Sequence, residues 1–85
     1  FFRDMSHSNR SHTNLQGSNI FFVDLSDSNL KSARLNGANV FFTDLSNCNI
    51  EDADINGANI FFVDLSGTNI SDAKNFKNAN IFFTG

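Results

Sequence analysis

The sequence contains no proline, tryptophan or tyrosine and only one cysteine. A lone cysteine, Cys48, excludes an internal disulfide framework. No apolar run approaches the roughly 20 residues needed to span a bilayer, and no signal-peptide pattern is present. Positive charge is scarce as well, and the formal net charge is −3. This mildly acidic balance argues against a surface that neutralises nucleic-acid phosphates. What remains is a chain of 85 residues, enough for one small domain with a marginal core.

Phenylalanine is the residue that recurs most conspicuously, because it comes in adjacent pairs. The pairs occupy positions 1–2, 21–22, 41–42, 61–62 and 82–83. The interval is twenty residues, with one extra residue in the last interval. An alternating strand cannot bury both members of a pair, since neighbouring side chains point to opposite faces. Both ends of the chain fall inside this pattern, which favours a segment of a longer protein.

A finer period of five lies within the period of twenty, as in the blocks SNIFF, VDLSD, SNLKS, ARLNG and ANVFF. The first residue of a block is small or β-branched, the second is usually Asn or Asp, and the third is Leu, Ile or Val. A period of five matches neither an α-helix nor a β-strand. It fits a coil that turns a corner every five residues, so that four corners complete a turn. Such turns must stack to share a core, at a spacing of about 4.8 Å.

The blocks ANVFF, ADING and ANIFF resemble the pentapeptide-repeat proteins, whose motif is Ala, then Asn or Asp, then Leu, then two free positions. The resemblance covers residues 8–83. It implies an all-β fold, a right-handed quadrilateral parallel β-helix with about four turns of 20 residues. Residues 1–85 would then form a single β-helical domain.

The register assigns the third residue of each block to the centre of the coil. This central set is Leu15, Ile20, Leu25, Leu30, Leu35, Val40, Leu45, Ile50, Ile55, Ile60, Leu65 and Ile70. Arg10 breaks the pattern at a central position, so we expect residues 1–12 to form an irregular first turn. The extra residue predicts a one-residue insertion near 73–76, with a bulge that lets Phe76 fill the core.

Stacked turns convert each outward position into a column, and the Phe pairs form two adjacent columns on one side. This predicted interaction face consists of Phe1, Phe2, Phe21, Phe22, Phe41, Phe42, Phe61, Phe62, Phe82 and Phe83. One interpretation is that stacked rings staple neighbouring turns together. The other is that the face binds a partner, because monomers seldom expose so large an apolar patch. The two interpretations are compatible.

A second column follows the Phe pairs and is acidic: Asp4, Asp24, Asp44 and Asp64. Such a column could hold cations or imitate a phosphate backbone. We favour a structural role, because these residues share the second position with Asn and can accept backbone hydrogen bonds at the corners. Gly17, Gly37 and Gly57 form another column, which predicts a corner with positive φ.

Catalytic signals are weak in this sequence. His7 and His12 lie five residues apart without an acidic or thiol partner in motif spacing, so surface histidines are a better interpretation than a metal pair. Cys48 is an inward small residue without a recognisable histidine partner, which disfavours a nucleophile. We predict no catalytic residue, no metal site and no cofactor.

The sequence therefore predicts a non-enzymatic scaffold module that mediates protein–protein interaction within a larger assembly. The expected partner is another protein or a second copy, bound through the Phe face, with no nucleic acid and no transmembrane segment. Peripheral membrane contact is disfavoured because no basic rim accompanies the Phe pairs. The alternative function is a DNA-mimic modulator of a type II topoisomerase, which some pentapeptide-repeat proteins are known to be. It ranks second because the acidic balance is weak.

Overall fold

The computed structural model describes residues 3–82, whose backbone winds into a coil of short parallel strands. The strands are β1 (Arg3–Asp4), β2 (Asn19–Phe21), β3 (Val23–Asp24), β4 (Asn39–Phe41), β5 (Asn59–Phe61) and β6 (Asn80–Phe82). One side of the coil is a four-stranded sheet in the order β2-β4-β5-β6, and β1 pairs with β3 on the next side. Single parallel bridges such as Asn29↔Asn49 and Arg34↔Asp54 join the remaining sides at the same offset.

As far as Gly67, the corners are built by left-handed residues at the fifth position of each block, and Asn75 is left-handed at the insertion. Positive φ angles occur at His7, His12, Gly17, Phe22, Asp27, Ser32, Gly37, Phe42, Asn47, Asp52, Gly57, Phe62, Gly67 and Asn75. Beside many corners, a backbone N–H closes a tight turn onto the carbonyl three residues earlier, as Ala38 does onto Leu35 at 3.0 Å. Because the chain turns at every fifth residue, four corners close each coil. The predicted right-handed quadrilateral parallel β-helix is confirmed.

Between residues 3 and 82 the backbone forms no α-helix, only two 3-10 turns at Ile70–Asp72 and Phe76–Asn78. This agrees with the unbroken five-residue register. A periodicity of five does not place apolar residues on one helical face, so a helix could not bury them.

The core consists of the predicted central residues together with small inward residues. The buried apolar residues are Leu25, Leu30, Ala33, Leu35, Ala38, Val40, Leu45, Cys48, Ile50, Ala53, Ile55, Ala58, Ile60, Val63, Leu65 and Ala73. Three predicted central residues, Leu15, Ile20 and Ile70, are only partly buried. They belong to the outermost described coils, which have a neighbour on one side only.

Small polar side chains also lie in this interior, and they bond to the backbone of the preceding coil. The Thr43 hydroxyl donates to the carbonyl of Ile20 at 3.1 Å, and the Cys48 thiol donates to that of Leu25 at 2.9 Å. Buried polar groups that find such partners do not carry the penalty of desolvation without compensation. These contacts link neighbouring coils in addition to the backbone ladder.

The expectation of an irregular stretch over residues 1–12 is wrong for the part that the structure describes. Residues 3–12 pair with the next coil at the regular offset, as the bridge Asn9↔Asn29 shows. The reason is that the left-handed corners continue through this coil, so its backbone fits the ladder. Arg10 does occupy the central position, and its Nε is enclosed without a hydrogen-bond partner.

The extra residue of the last interval is absorbed late in the expected region. Lys74 still pairs with the residue twenty positions earlier, Asp54. Asn80 pairs with a residue 21 positions earlier. Between them, Asn75 adopts φ 60° and starts the 3-10 turn Phe76–Asn78. Phe76 packs partly buried against the core, so the turn adds length without leaving its aromatic ring fully in solvent.

The first prediction concerns the central position. Ile50 is only 2% exposed, so Ile50→Asp places an unpaired charge between stacked coils. We expect the free energy of unfolding to fall by at least about 3 kcal/mol, measured by chemical denaturation. Asn47→Asp is the matched control and should be nearly neutral, because its position is exposed and Asp27 adopts the same left-handed backbone. Equal losses in the two variants would contradict the inward assignment.

The second prediction concerns the corners. Gly37 has φ +65°, and no heavy atom lies within 4 Å of an added Cβ, so only backbone strain opposes a side chain there. Gly37→Ala should lower the free energy of unfolding by about 1–2 kcal/mol. Gly37→Asn should lower it less, because Asn adopts the left-handed conformation more readily. Denaturant melts of both variants test this, and a larger loss for Asn would refute it.

Candidate interaction face

The Phe pairs are positioned by the end of a strand and the corner that follows it. The first member of each pair is the last residue of β2, β4 or β5, and it forms the strand column (Phe21, Phe41 and Phe61). The second member is the corner residue, and it forms the corner column (Phe22, Phe42 and Phe62). Both columns point outward, because the third residue of each block, which precedes the Phe pair, fills the core. The two columns therefore share one edge of the coil.

Within each column the rings stack almost parallel. Ring centroids in the strand column are 5.0 Å apart, with interplanar angles of 11° and 2°. Those in the corner column are 5.1 and 4.9 Å apart, with angles of 4° and 2°. These distances lie in the range of favourable offset stacking. The predicted inter-turn ladders are thus present in the structure.

A further rung comes from the last strand. Phe82 lies 5.2 Å from Phe61, but its ring is tilted by 49°. This rung follows the inserted residue, so the stacking is less regular there. Phe1, Phe2 and Phe83, which were also assigned to the face, lie outside the described residues.

The ladders leave much of the aromatic surface in contact with solvent. Five rings are between 43% and 53% exposed, namely Phe21, Phe22, Phe42, Phe62 and Phe82. Phe41 and Phe61 are partly buried within the strand column. A contiguous exposed apolar patch of this kind is unusual on a monomer and often marks a contact site.

The corner column also carries backbone strain. Its three residues have φ of 55°, 54° and 56°, a conformation that bulky L-residues rarely adopt. Each such residue costs about 1–2 kcal/mol relative to a right-handed backbone. Each stacked pair contributes about 0.5–1.5 kcal/mol beyond area burial. The strain therefore offsets much of the stacking, while about half of each corner ring stays exposed to solvent.

The acidic column (Asp4, Asp24, Asp44 and Asp64) follows the corner Phe by two residues. In each case one carboxylate oxygen accepts the backbone N–H and the hydroxyl of the serine two positions later. At Asp44 these distances are 2.9 and 2.6 Å, and at Asp64 they are 2.9 and 2.7 Å. The serine hydroxyl bonds hold the pKa of Asp4 and of Asp64 below the usual value for aspartate. The expected hydrogen bonding at the corner is therefore seen.

The second oxygen of these carboxylates has no donor among the described residues. Within residues 3–82 the ion pairs are Lys31–Glu51 at 3.4 Å and His7–Asp27 at 3.8 Å, neither of which involves the acidic column. A shallow groove separates the acidic column from the corner column, and its walls are Phe42, Thr43, Asp44, Phe62 and Asp64. Aromatic and carboxylate side chains thus line a common depression.

An asparagine ladder on the other flank was not anticipated from the sequence. The side-chain amide of Asn39 donates to Asn19 at 2.9 Å, that of Asn59 to Asn39 at 2.8 Å, and that of Asn80 to Asn59 at 2.9 Å. The signal was available, because Asn recurs two residues before every Phe pair in this part of the chain. The ladder locks the register of β2, β4, β5 and β6, and so keeps each Phe directly opposite the Phe of the next strand.

The residues with potential chemistry do not converge. No group of three or more metal-ligating side chains gathers within the described part of the chain. Burial raises the pKa of the Cys48 thiol, which keeps it protonated, and its hydrogen bond to Leu25 directs it inward. His7 faces Asp27 at the surface rather than His12. Among residues 3–82 no helix is long and apolar enough to cross a bilayer.

Comparison with known proteins adds solved structures of the same architecture. A pentapeptide repeat protein, Rfr23, from the cyanobacterium Cyanothece 51142 superposes with a TM-score of 0.81 at 26% identity, over 96% of this chain and 53% of its own. Another, alr5209 from Nostoc Pcc 7120, gives a TM-score of 0.51 at 35% identity, over 85% of this chain and 64% of its own. The present chain thus spans between half and two thirds of these proteins. No curated protein sequence matches.

A family profile described as "Pentapeptide repeats (8 copies)" matches residues 24–60, 33–72 and 44–81. Together these matches extend from residue 24 to residue 81, which is more than half of the chain. They contain most of the stacked corners and the central rungs of both Phe columns. The chain belongs to the pentapeptide-repeat family.

Proposed function

We propose that this protein is a non-enzymatic scaffold module that binds another protein through its two Phe columns. The observation that carries the proposal is the recurrence of Phe at three strained corners of the coil. The other left-handed corners use Gly, Asn, Asp, Ser or His. Bulky side chains that hold an unfavourable backbone conformation and are half exposed to solvent are more readily explained by a contact than by folding alone. Strain that recurs at one place is a known property of functional surfaces.

The size of the apolar surface supports a protein partner. A fully buried Phe removes about 150–250 Å² from solvent. Five of the seven described rings of the face are about half exposed, and together these five offer roughly 350–650 Å². A specific protein interface buries about 800 Å² on each partner. The exposed rings alone thus supply about half or more of a standard interface.

The coil also presents this surface in a rigid form. Phe22 and Phe42 donate their backbone N–H groups to the next coil, at 3.1 Å in both cases. Stacking and the asparagine ladder further restrict the ring positions. A preorganised surface loses little conformational entropy on association, which increases affinity for a given area.

The alternative function, DNA mimicry toward a type II topoisomerase, is favoured by one observation: the acidic column repeats at a regular offset, and Asp24, Asp44 and Asp64 have no counterion among the described residues. Three observations weigh against it. Lys31, Arg34 and Lys74 are interspersed on other sides of the coil, the net charge is only −3, and the acidic column borders an aromatic edge. We therefore rank this function second and expect no inhibition of a topoisomerase in a supercoiling assay.

The third prediction tests the Phe face. Replacing Phe22, Phe42 and Phe62 by Ser should leave the β-helix folded, because Ser32 already occupies an equivalent left-handed corner. Circular dichroism should retain the β-helical spectrum, while binding of a protein partner to the Phe columns, measured by pull-down, should be lost. The matched control is His12→Ser combined with Asp52→Ser, which alters another column of left-handed corners.

Two outcomes would contradict this assignment. Unfolding of the triple variant would show that the corner column is chiefly a staple between coils. Retention of every interaction by a folded triple variant would place the contact surface on another side of the coil.

A further inference from the structure

We propose that the segment that covers the Phe columns is basic, with Lys or Arg side chains that enter the groove between the corner column and the acidic column. This inference rests on the proposed function and specifies the chemistry of the partner. It commits to a partner segment in which apolar residues contact the rings and cationic residues contact the carboxylates.

The first step is the juxtaposition of two chemically different walls. Phe42 and Phe62 form one wall of the groove, Asp44 and Asp64 form the other, and Thr43 lies between them. The parallel pairing Asp44↔Asp64 keeps the carboxylates in vertical register with the stacked rings. A partner that covers the aromatic wall therefore comes close to several carboxylates as well.

The second step is the orientation of the carboxylates. Each is held by two hydrogen bonds from serine to the same oxygen, Oδ1. The position of the other oxygen is thereby fixed, and no donor from the described residues reaches it. Carboxylates that are oriented before binding form charge-assisted hydrogen bonds at a smaller entropic cost.

The third step is the absence of an internal counterion at Asp24, Asp44 and Asp64, which distinguishes these three from other acidic residues of the described coil. Glu51 has Lys31 at 3.4 Å, and Asp27 has His7 at 3.8 Å. Asp54 accepts a hydrogen bond from Asn75, which lowers the pKa of its carboxyl group, and Lys74 also contributes. His7 also interacts electrostatically with Asp4, but Asp24, Asp44 and Asp64 have no such neighbour among the described residues. A partner that excludes water from these three carboxylates must therefore bring positive charge.

The fourth step is the way in which the rings are presented. Because Phe42 is stacked between Phe22 and Phe62, neighbouring rings cover its faces and leave its edge toward solvent. Aromatic edges carry a positive partial charge, so they do not attract cations directly. They do provide an apolar surface for the alkyl stems of Lys or Arg, whose charged ends can then extend to the carboxylates.

A second copy of this chain fits the groove less well. Its Lys31 lies 3.4 Å from Glu51, and Arg34 and Lys74 belong to the column of Asp54, on a different side of the coil. These cations are not placed beside the Phe columns of the same molecule. Two copies that meet through their Phe columns would therefore bring apolar rings to the interface without these cations.

The fourth prediction measures charge selectivity with synthetic peptides. Three short peptides that alternate Leu with Lys, Gln or Glu are titrated against the protein by fluorescence anisotropy. The measurement is made at about 0.15 M salt, where charges more than about 8 Å apart are screened. We expect the Leu/Lys peptide to bind at least about tenfold more tightly than the Leu/Gln peptide, and the Leu/Glu peptide to bind least.

Two triple variants of equal net charge separate the groove from general electrostatics. The first changes the acidic column (Asp24→Asn, Asp44→Asn and Asp64→Asn), and the second changes other surface positions (Asp27→Asn, Asp52→Asn and Asp72→Asn). The first should weaken binding of the Leu/Lys peptide by about tenfold, and the second by no more than about twofold. Asn9 accepts the equivalent N–H bond from the serine two positions later, Ser11. The first variant should therefore keep its corners.

Several results would overturn the inference. These are equal affinity for the Leu/Lys and Leu/Gln peptides, equal weakening in the two triple variants, no binding of any peptide, or a dimer of the parent protein joined through the Phe columns. The first result, combined with loss of binding in the Phe-to-Ser variant, would leave the proposed function standing and reject only the basic partner. A Phe-to-Ser variant that binds every peptide as the parent does would reject the proposed function itself.

Discussion

The vertical backbone ladder is the interaction on which the rest of this structure depends. The N–H of Leu25 donates to the carbonyl of Asp44 in the next coil at 2.8 Å, and the N–H of Asp44 donates back to Val23 at 2.9 Å. The N–H and C=O groups of each coil point toward the coils above and below. Every coil therefore needs adjacent coils to satisfy its backbone hydrogen bonds. The same ladder superposes equivalent residues, so one residue type repeated at an interval of twenty becomes a continuous surface column.

The corner geometry imposes a second requirement, because the fifth residue of each block is left-handed. Gly, Asn and Asp meet this requirement at low cost, and Gly37 and Asn47 are examples. Phe42 meets it at a higher cost, while its ring stacks on two neighbours and remains 43% exposed. The contrast separates corners that serve only the path of the chain from corners that also present a surface.

The second position of each block shows how one site in the repeat can serve different roles. Asp44 accepts two bonds from Ser46, and its other oxygen has no donor among the described residues, whereas Asn39 joins Asn19 and Asn59 in a ladder along the coil. An amide can both donate and accept, so it can link to identical residues above and below, and a carboxylate cannot. The Phe columns are therefore bordered on one flank by an amide ladder whose members hydrogen-bond to one another. On the other flank they are bordered by the carboxylates of the acidic column.

The sequence by itself determined the architecture, the inward set and the columns, because a five-residue period with Leu, Ile or Val at the third position has few ways to bury its apolar side chains. It also indicated the corners, through Gly17, Gly37 and Gly57. Only the tertiary structure decided that residues 3–12 are regular despite Arg10, since the fit of a backbone to a ladder depends on φ angles rather than on a single side chain. The same holds for the insertion, which the structure places after Lys74 in a 3-10 turn, and for the strain at the corner Phe residues. The groove beside Asp44 and Asp64 belongs to this second class as well, because it exists only once neighbouring coils bring residues twenty positions apart into contact.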